Sequence, residues 1–178
     1  MKRLLIFLSI ASFAAACTSR QHTDATTGGT TAVVDSVAAP ASVALQLSAA
    51  LQGLGLTPNH DWRQVNLGDE FNAAKATEKA EAFEQDAGHI GYSQEFDNLE
   101  SVDYQYFQAN NKVTAIQVDL YLNSANAVKT YQQELTTYLN ARYGTASVSA
   151  GMSTWKSGNV VLKDVSKGKD FGLKLTIK

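Results

Sequence analysis

The 178-residue chain carries 15 basic and 17 acidic side chains, 44% hydrophobic residues and a single cysteine. This near-neutral, slightly acidic balance lacks the basic footprint that nucleic-acid binding needs. One thiol per chain also excludes an intrachain disulfide.

Lys2 and Arg3 precede an apolar run, Leu4 to Ala16, interrupted only by Ser9 and Ser12. The run is shorter than the roughly 20 apolar residues that span a bilayer. A positive start, a brief apolar stretch and small residues before a cut are the features of a secretory signal, so residues 1–16 are read as a signal peptide. The segment Ala14-Ala15-Ala16-Cys17 resembles the lipobox of bacterial lipoproteins, with Ala14 where that pattern most often has Leu. The resemblance implies that Cys17 carries diacylglycerol on its sulfur, that the leader is cut just before it, and that the new N-terminus takes a third acyl chain. At about 0.8 kcal/mol per buried methylene, one acyl chain binds a membrane reversibly and two or more anchor stably. Thr18 stands where some inner-membrane lipoproteins have an aspartate, which favours the outer membrane of a bacterial envelope.

Loss of residues 1–16 removes Lys2 and Arg3, leaving 13 basic against 17 acidic side chains and no polybasic patch for anionic lipid. Residues 17–41, rich in Thr, Ser, Ala and Gly around Thr26-Thr27-Gly28-Gly29-Thr30-Thr31, bury too little apolar surface to fold. They read as a tether with a random-coil span on the order of 25–30 Å. Residues 42–178 form one domain that has to stand on its own core.

In the domain, Ser42 caps a helix striped by Val43, Leu47, Leu51 and Leu54, stopped by Gly53, Gly55 and Pro58. Trp62 to Leu67 is a short extended segment. Asp69 is a natural N-cap for a second helix, Glu70 to about Asp86, weakly amphipathic through Phe71, Ala74 and Ala82. Strands are expected over 90–96, 100–108 and 112–122, the last two joined at Ala109-Asn110-Asn111. Ser124 caps a third helix striped by Val128, Tyr131, Leu135 and Leu139 and closed by Gly144. Three strands follow, over 147–155, 160–165 and 171–177.

Both stretches run helix then three strands. An offset of 57 residues matches Phe71 to Val128, and Ile116, Val118 and Leu120 to Leu173, Leu175 and Ile177. The expectation is an α+β fold: two αβββ repeats, 67–122 and 123–178, sharing an antiparallel sheet with helices on one face. Element order, with Leu67-Gly68 before a helix and Tyr143-Gly144 after one, is similar to the tandem architecture of the β-lactamase inhibitory protein family. It is more loosely similar to the SmpA/OmlA outer-membrane-assembly lipoproteins. Both families bind proteins rather than catalyse reactions, so the resemblance implies a binding role and no enzyme activity.

No cluster in the sequence has the spacing of a catalytic or metal site. His22, His60 and His89 lack metal-site spacing, and His60-Asp61 with Asp69-Glu70 reads as solvated loop and cap. Gly91-Tyr92-Ser93-Gln94-Glu95 lacks the second glycine of a nucleophile elbow, and Gly53-Leu54-Gly55 is a helix stop, not a phosphate loop. Glu95, Asp97, Glu100, Asp103 and Asp119 read as a wet sheet face. No catalytic residue, metal or cofactor is assigned. With Ile116, Val118, Leu173 and Leu175 inward, the outward set gathers Gln117, Asp119, Tyr121, Lys174 and Thr176. Asp103, Gln105 and Phe107 join it, with Ser147, Ser149, Ser153 and Trp155. Phe107, Asp119, Tyr121 and Trp155 are the candidate partner-binding residues, for an envelope protein, because aromatic side chains anchor interfaces. The alternative is a small-molecule carrier or enzyme, with a pocket between sheet and helices lined by Tyr92, Tyr104, Tyr106 and Tyr131.

Mass spectrometry of the chain purified from membranes should find Cys17 as its first residue, carrying two or three acyl chains. A Cys17→Ser variant should leave the membrane fraction; a free thiol at position 17 or an uncut leader contradicts the assignment.

Overall fold

The computed structural model describes residues 46–178. The expected signal peptide and tether, Cys17 and the expected cap Ser42 lie outside the described residues, and the described stretch before Ala49, with Leu47, is not helical. Helix α1 (Ala49–Gly53) is capped by Ser48, whose hydroxyl accepts from the Leu51 amide, and it buries Leu51. The chain then turns through Trp62 and Val65, which bridge each other and are wholly buried. Helix α2 (Phe71–Thr77) follows, then strands β1 (Ala82–Gln85), β2 (His89–Glu95), β3 (Ser101–Ala109) and β4 (Lys112–Leu122). Helix α3 (Ala125–Tyr143) opens the second half, followed by β5 (Ser147–Ser149), β6 (Met152–Trp155), β7 (Val160–Asp164) and β8 (Phe171–Ile177).

All eight strands form one antiparallel sheet in the order β1-β2-β3-β4-β8-β7-β6-β5. The α+β class and the antiparallel sheet are as expected, and each half has one strand more than the helix-then-three pattern. In the first half, the expected helix to Asp86 ends at Thr77. Beyond Thr77 a helix had only Ala82 to bury, whereas pairing β1 onto β2 satisfies a ladder of backbone groups along the sheet edge. Asp69 does not cap α2 either; its carboxylate accepts from the Asn66 amide, and Glu70 holds the cap position. In the second half, the expected strand 147–155 is a hairpin that turns at Ala150-Gly151, both at positive φ, as a two-residue turn requires. Asn110 and Asn111, also at positive φ, make the same kind of turn between β3 and β4, where the sequence placed it.

The palindromic strand order gives the sheet a pseudo-two-fold axis between β4 and β8. Ile116, Val118 and Leu120 pair with Ile177, Leu175 and Leu173. Val118 therefore lies beside Leu175, the residue the 57-residue offset makes its counterpart, while Ile116 and Leu120 meet each other's counterparts. The halves differ above the sheet. Helix α3 buries Val128, Leu135, Tyr138 and Leu139 over the second half. The short α2 covers less, and Leu51, Leu54, Leu56, Trp62 and Val65 complete the same core.

Leu175, fully buried on the axis, should cost about 3 kcal/mol when cut to alanine, read as a shift of the urea-unfolding midpoint. Ser149→Ala at the exposed edge should change stability by less than about 0.5 kcal/mol.

Candidate functional site

Cross-strand partners share a face of a sheet, so the registers sort every strand residue. Ile90, Tyr92, Val102, Tyr104, Tyr106, Ile116, Val118, Leu120, Leu162, Leu173 and Leu175 are buried and face the helices. The other face carries Ser93, Asp103, Gln105, Phe107, Gln117, Asp119, Tyr121, Lys174, Thr176 and Lys163. Three of the four expected site residues, Phe107, Asp119 and Tyr121, lie on this open face; Asp119 and Tyr121 are neighbours on β4, whereas Phe107 is level with Ala115, about 20 Å along the strands from Tyr121. The tyrosine is 52% exposed.

Trp155 does not. It is 2% exposed on the helix side, and its indole N–H donates to the Asn140 side chain on α3 at 2.9 Å. The reason is the hairpin inside 147–155. Ser147 and Ser149 keep the expected outward phase, but Ser149 pairs with Met152, so the outward positions beyond the turn are 152 and 154. Ser153 and Trp155 are thereby turned into the core.

The structure adds Phe83, 52% exposed, to the open face. Its ring crosses the sheet over Gly91, where a Cβ would come within 2.8 Å of it. The register shift between Ala82 and Glu84 frees Phe83 to lie there. The residue was missed because its segment was read as helix. On the neighbouring strand His89 stacks on Phe107, ring centroids 5.4 Å apart, with Asp86 and Glu84 at its two ring nitrogens, 2.9 and 3.3 Å away.

Charge on this face is ordered. Across β3, β4, β8 and β7 one row reads Asp103, Asp119, Lys174, Lys163. Asp119 and Lys174 form an ion pair of 3.2 Å over the junction. In the next row Tyr121 lies beside Gly172 and forms one wall of a hollow of about 130 Å³, whose other lining includes Val165, Phe171, Asp119 and Asp170. A side chain at position 172 would meet the Leu120 carbonyl at 2.8 Å, so only glycine fits. Burial and the neighbouring Asp103 and Asp119 push the Tyr121 hydroxyl up, so it stays a neutral donor at physiological pH.

Under the sheet, the tyrosines of the carrier reading serve the core. Tyr92 stacks on Tyr104 with centroids 5.6 Å apart, and Tyr106 tilts against both. Tyr104 and Tyr106 donate to the two oxygens of Glu78 at 2.8 and 2.6 Å. Arg63 reaches the same carboxylate at 3.3 Å and lies over the Tyr104 ring. The Glu78 side chain is only 2% exposed. These groups answer one another and fill the space between sheet and turn. Tyr131 stands apart on α3, facing Glu100 and Glu134.

Asp61 is no solvated loop residue. It is buried and accepts from Arg142 at 2.7 Å, from the Leu67 amide at 2.9 Å and from the Tyr143 hydroxyl, tying the turn to the end of α3. Glu100 likewise leaves the wet face: it is buried and accepts from Asn98.

Comparison with protein-family models, with curated proteins and with solved structures returned no match.

Two measurements follow from the buried carboxylates. Glu78→Ala strands two tyrosine hydroxyls and removes the counter-charge of Arg63, which keeps its bonds to Leu54 and Gln94; it should cost about 3–5 kcal/mol in urea unfolding, with Glu78→Gln losing less. Burial pushes the Asp61 carboxyl up, but bonds from Tyr143, the Leu67 amide and Arg142 outweigh it, so its pKa lies below the ordinary 3.8. Asp61 binds its proton more readily in the unfolded chain, so its stabilisation is present above pH 3.8 and lost as pH falls through the lower folded value. Between neutral and acid pH, the midpoint of an Asp61→Asn variant should therefore fall less than that of the parent.

Proposed function

We propose that the chain is a lipid-anchored protein of the bacterial cell envelope whose folded domain binds protein through the open face of its sheet. The observation that carries the reading is the pair of half-exposed aromatics, Tyr121 and Phe83, which share with Phe107 a polar sheet face that no described helix covers. Aromatic anchors set in a polar rim are the composition of protein interfaces. The anchoring part of the proposal rests on Cys17 and its leader, and outer-membrane residence on Thr18. A tether with a span of about 25–30 Å leaves the domain near the membrane surface, where it meets other envelope proteins. No helix among the described residues is long and apolar enough to cross a membrane. The domain in this reading performs no catalysis; its polar face offers contact, and its buried carboxylates offer rigidity.

A photo-crosslinking residue placed at Tyr121 in intact cells should capture protein, while one at Lys129, exposed on α3, should not. Equal yields from the two positions would remove the case for the open face.

A further inference from the structure

The row of four charges on the open face has a property that a general docking surface does not need. It reads acid, acid, base, base, and its midpoint is the β4–β8 junction at the centre of the sheet. A partner of uniform charge attracts half of this row and is repelled by the other half. A partner with the order reversed matches all of it.

We propose that the partner is a second copy of this chain, docked face to face about a two-fold axis parallel to the central strands and over the β4–β8 junction. The inference rests on the reading of the open face as a protein-binding surface. Rotation about that axis exchanges the two halves of the sheet and keeps height along the strands. Asp103 then faces the partner's Lys163, and Asp119 faces the partner's Lys174, with the reciprocal pairs generated by symmetry. A two-fold axis running across the strands sets acid on acid, so the row selects one of the two face-to-face arrangements.

The next row fits the same operation. Tyr121 on β4 comes over the partner's Gly172 on β8, where the side-chain-free position opens the hollow of about 130 Å³. A cavity of roughly 150 Å³ encloses one benzene ring, so an open hollow of about 130 Å³ seats the edge of a ring without enclosing it. Each copy therefore supplies one ring and one hollow. The ion pairs fix orientation, and the two buried rings supply apolar contact. At about 4.8 Å between strands and about 3.3 Å per residue, the face of eight strands covers on the order of 800 Å², the area per partner of a stable interface.

The test uses the full chain extracted from membranes, at an excess of detergent micelles, with a photo-crosslinking residue at Thr176, which faces the partner's Gln117 under the same rotation and leaves Tyr121 in place. One variant, Asp103→Lys with Asp119→Lys, makes the row wholly basic; the other, Lys163→Asp with Lys174→Asp, makes it wholly acidic. The parent should crosslink to a dimer, with the link mapping to residues 115–119. Each variant alone should lose about ten-fold or more of that yield, and an equimolar mixture should recover it. Circular dichroism of each variant establishes that it is folded. The homodimer is overturned if the parent gives no dimer, if either variant alone dimerises as the parent does, or if folded variants fail to recover on mixing. Capture of a different envelope protein at Thr176 overturns the homodimer and leaves the open-face reading standing. Capture of the chain's own residues 18–41 overturns both.

Discussion

The antiparallel pairing of β4 with β8 is the constraint on which the rest of the molecule depends. These two strands come from opposite halves of the chain, yet they meet over seven paired residues at the centre of the sheet. Of their inward residues, Ile116, Val118, Leu120, Leu173, Leu175 and Ile177 are at most 2% exposed, and a slip of one residue would turn Ile116, Val118 and Leu120 toward water. Burial of one face therefore fixes the register, and the register fixes what the other face displays. Asp119 beside Lys174, and Tyr121 beside Gly172, are consequences of Val118 lying beside Leu175.

Around that seam the halves are alike in the sheet and unlike above it. The second half has a long helix, α3, whose stripe covers the sheet directly. In the first half, α2 is short, and the segment from Leu47 to Leu67 supplies the missing apolar surface. An irregular segment laid on a core brings unpaired backbone and polar side chains with it, and these must find partners. The two buried carboxylates meet that need from different ends. Glu78 collects Tyr104, Tyr106 and Arg63 under the sheet, and Asp61 collects Arg142, Tyr143 and the Leu67 amide against α3. Both lie on the helix side. The open face is left free of structural duties, and that freedom is why its aromatic side chains stand in solvent.

Much of this was legible in the sequence, and the failures have physical causes. The strands β4 and β8 and the caps of α3 were read almost to the residue, because strict alternation over seven or more positions admits one phase. The offset of 57 residues pointed to the halves that meet on the pseudo-two-fold axis. The helix beyond Thr77 was misread because the stretch from Glu78 to Asp86 has helical propensity and no clear period. Its fate is decided by the pull of two tyrosines on Glu78 and by the exposed edge of β2, which are contacts distant in sequence. Trp155 was set on the wrong face by a turn of two residues, Ala150-Gly151, concealed in what reads as one polar strand. The same kind of turn at Asn110-Asn111 was seen because apolar alternation flanks it. Of the site, Phe107, Asp119 and Tyr121 followed from parity alone. The order of the charged row did not, since it joins four strands whose neighbours are known only once the sheet is assembled.

Amine labelling of the lysines, in intact cells and again after extraction and dilution in detergent, tests the docked face most directly. A docked open face predicts that Lys163 and Lys174 are protected in cells and become reactive on dilution, while Lys129 on α3 reacts equally in both states. Equal reactivity of Lys163, Lys174 and Lys129 in cells, unchanged by dilution, would contradict it.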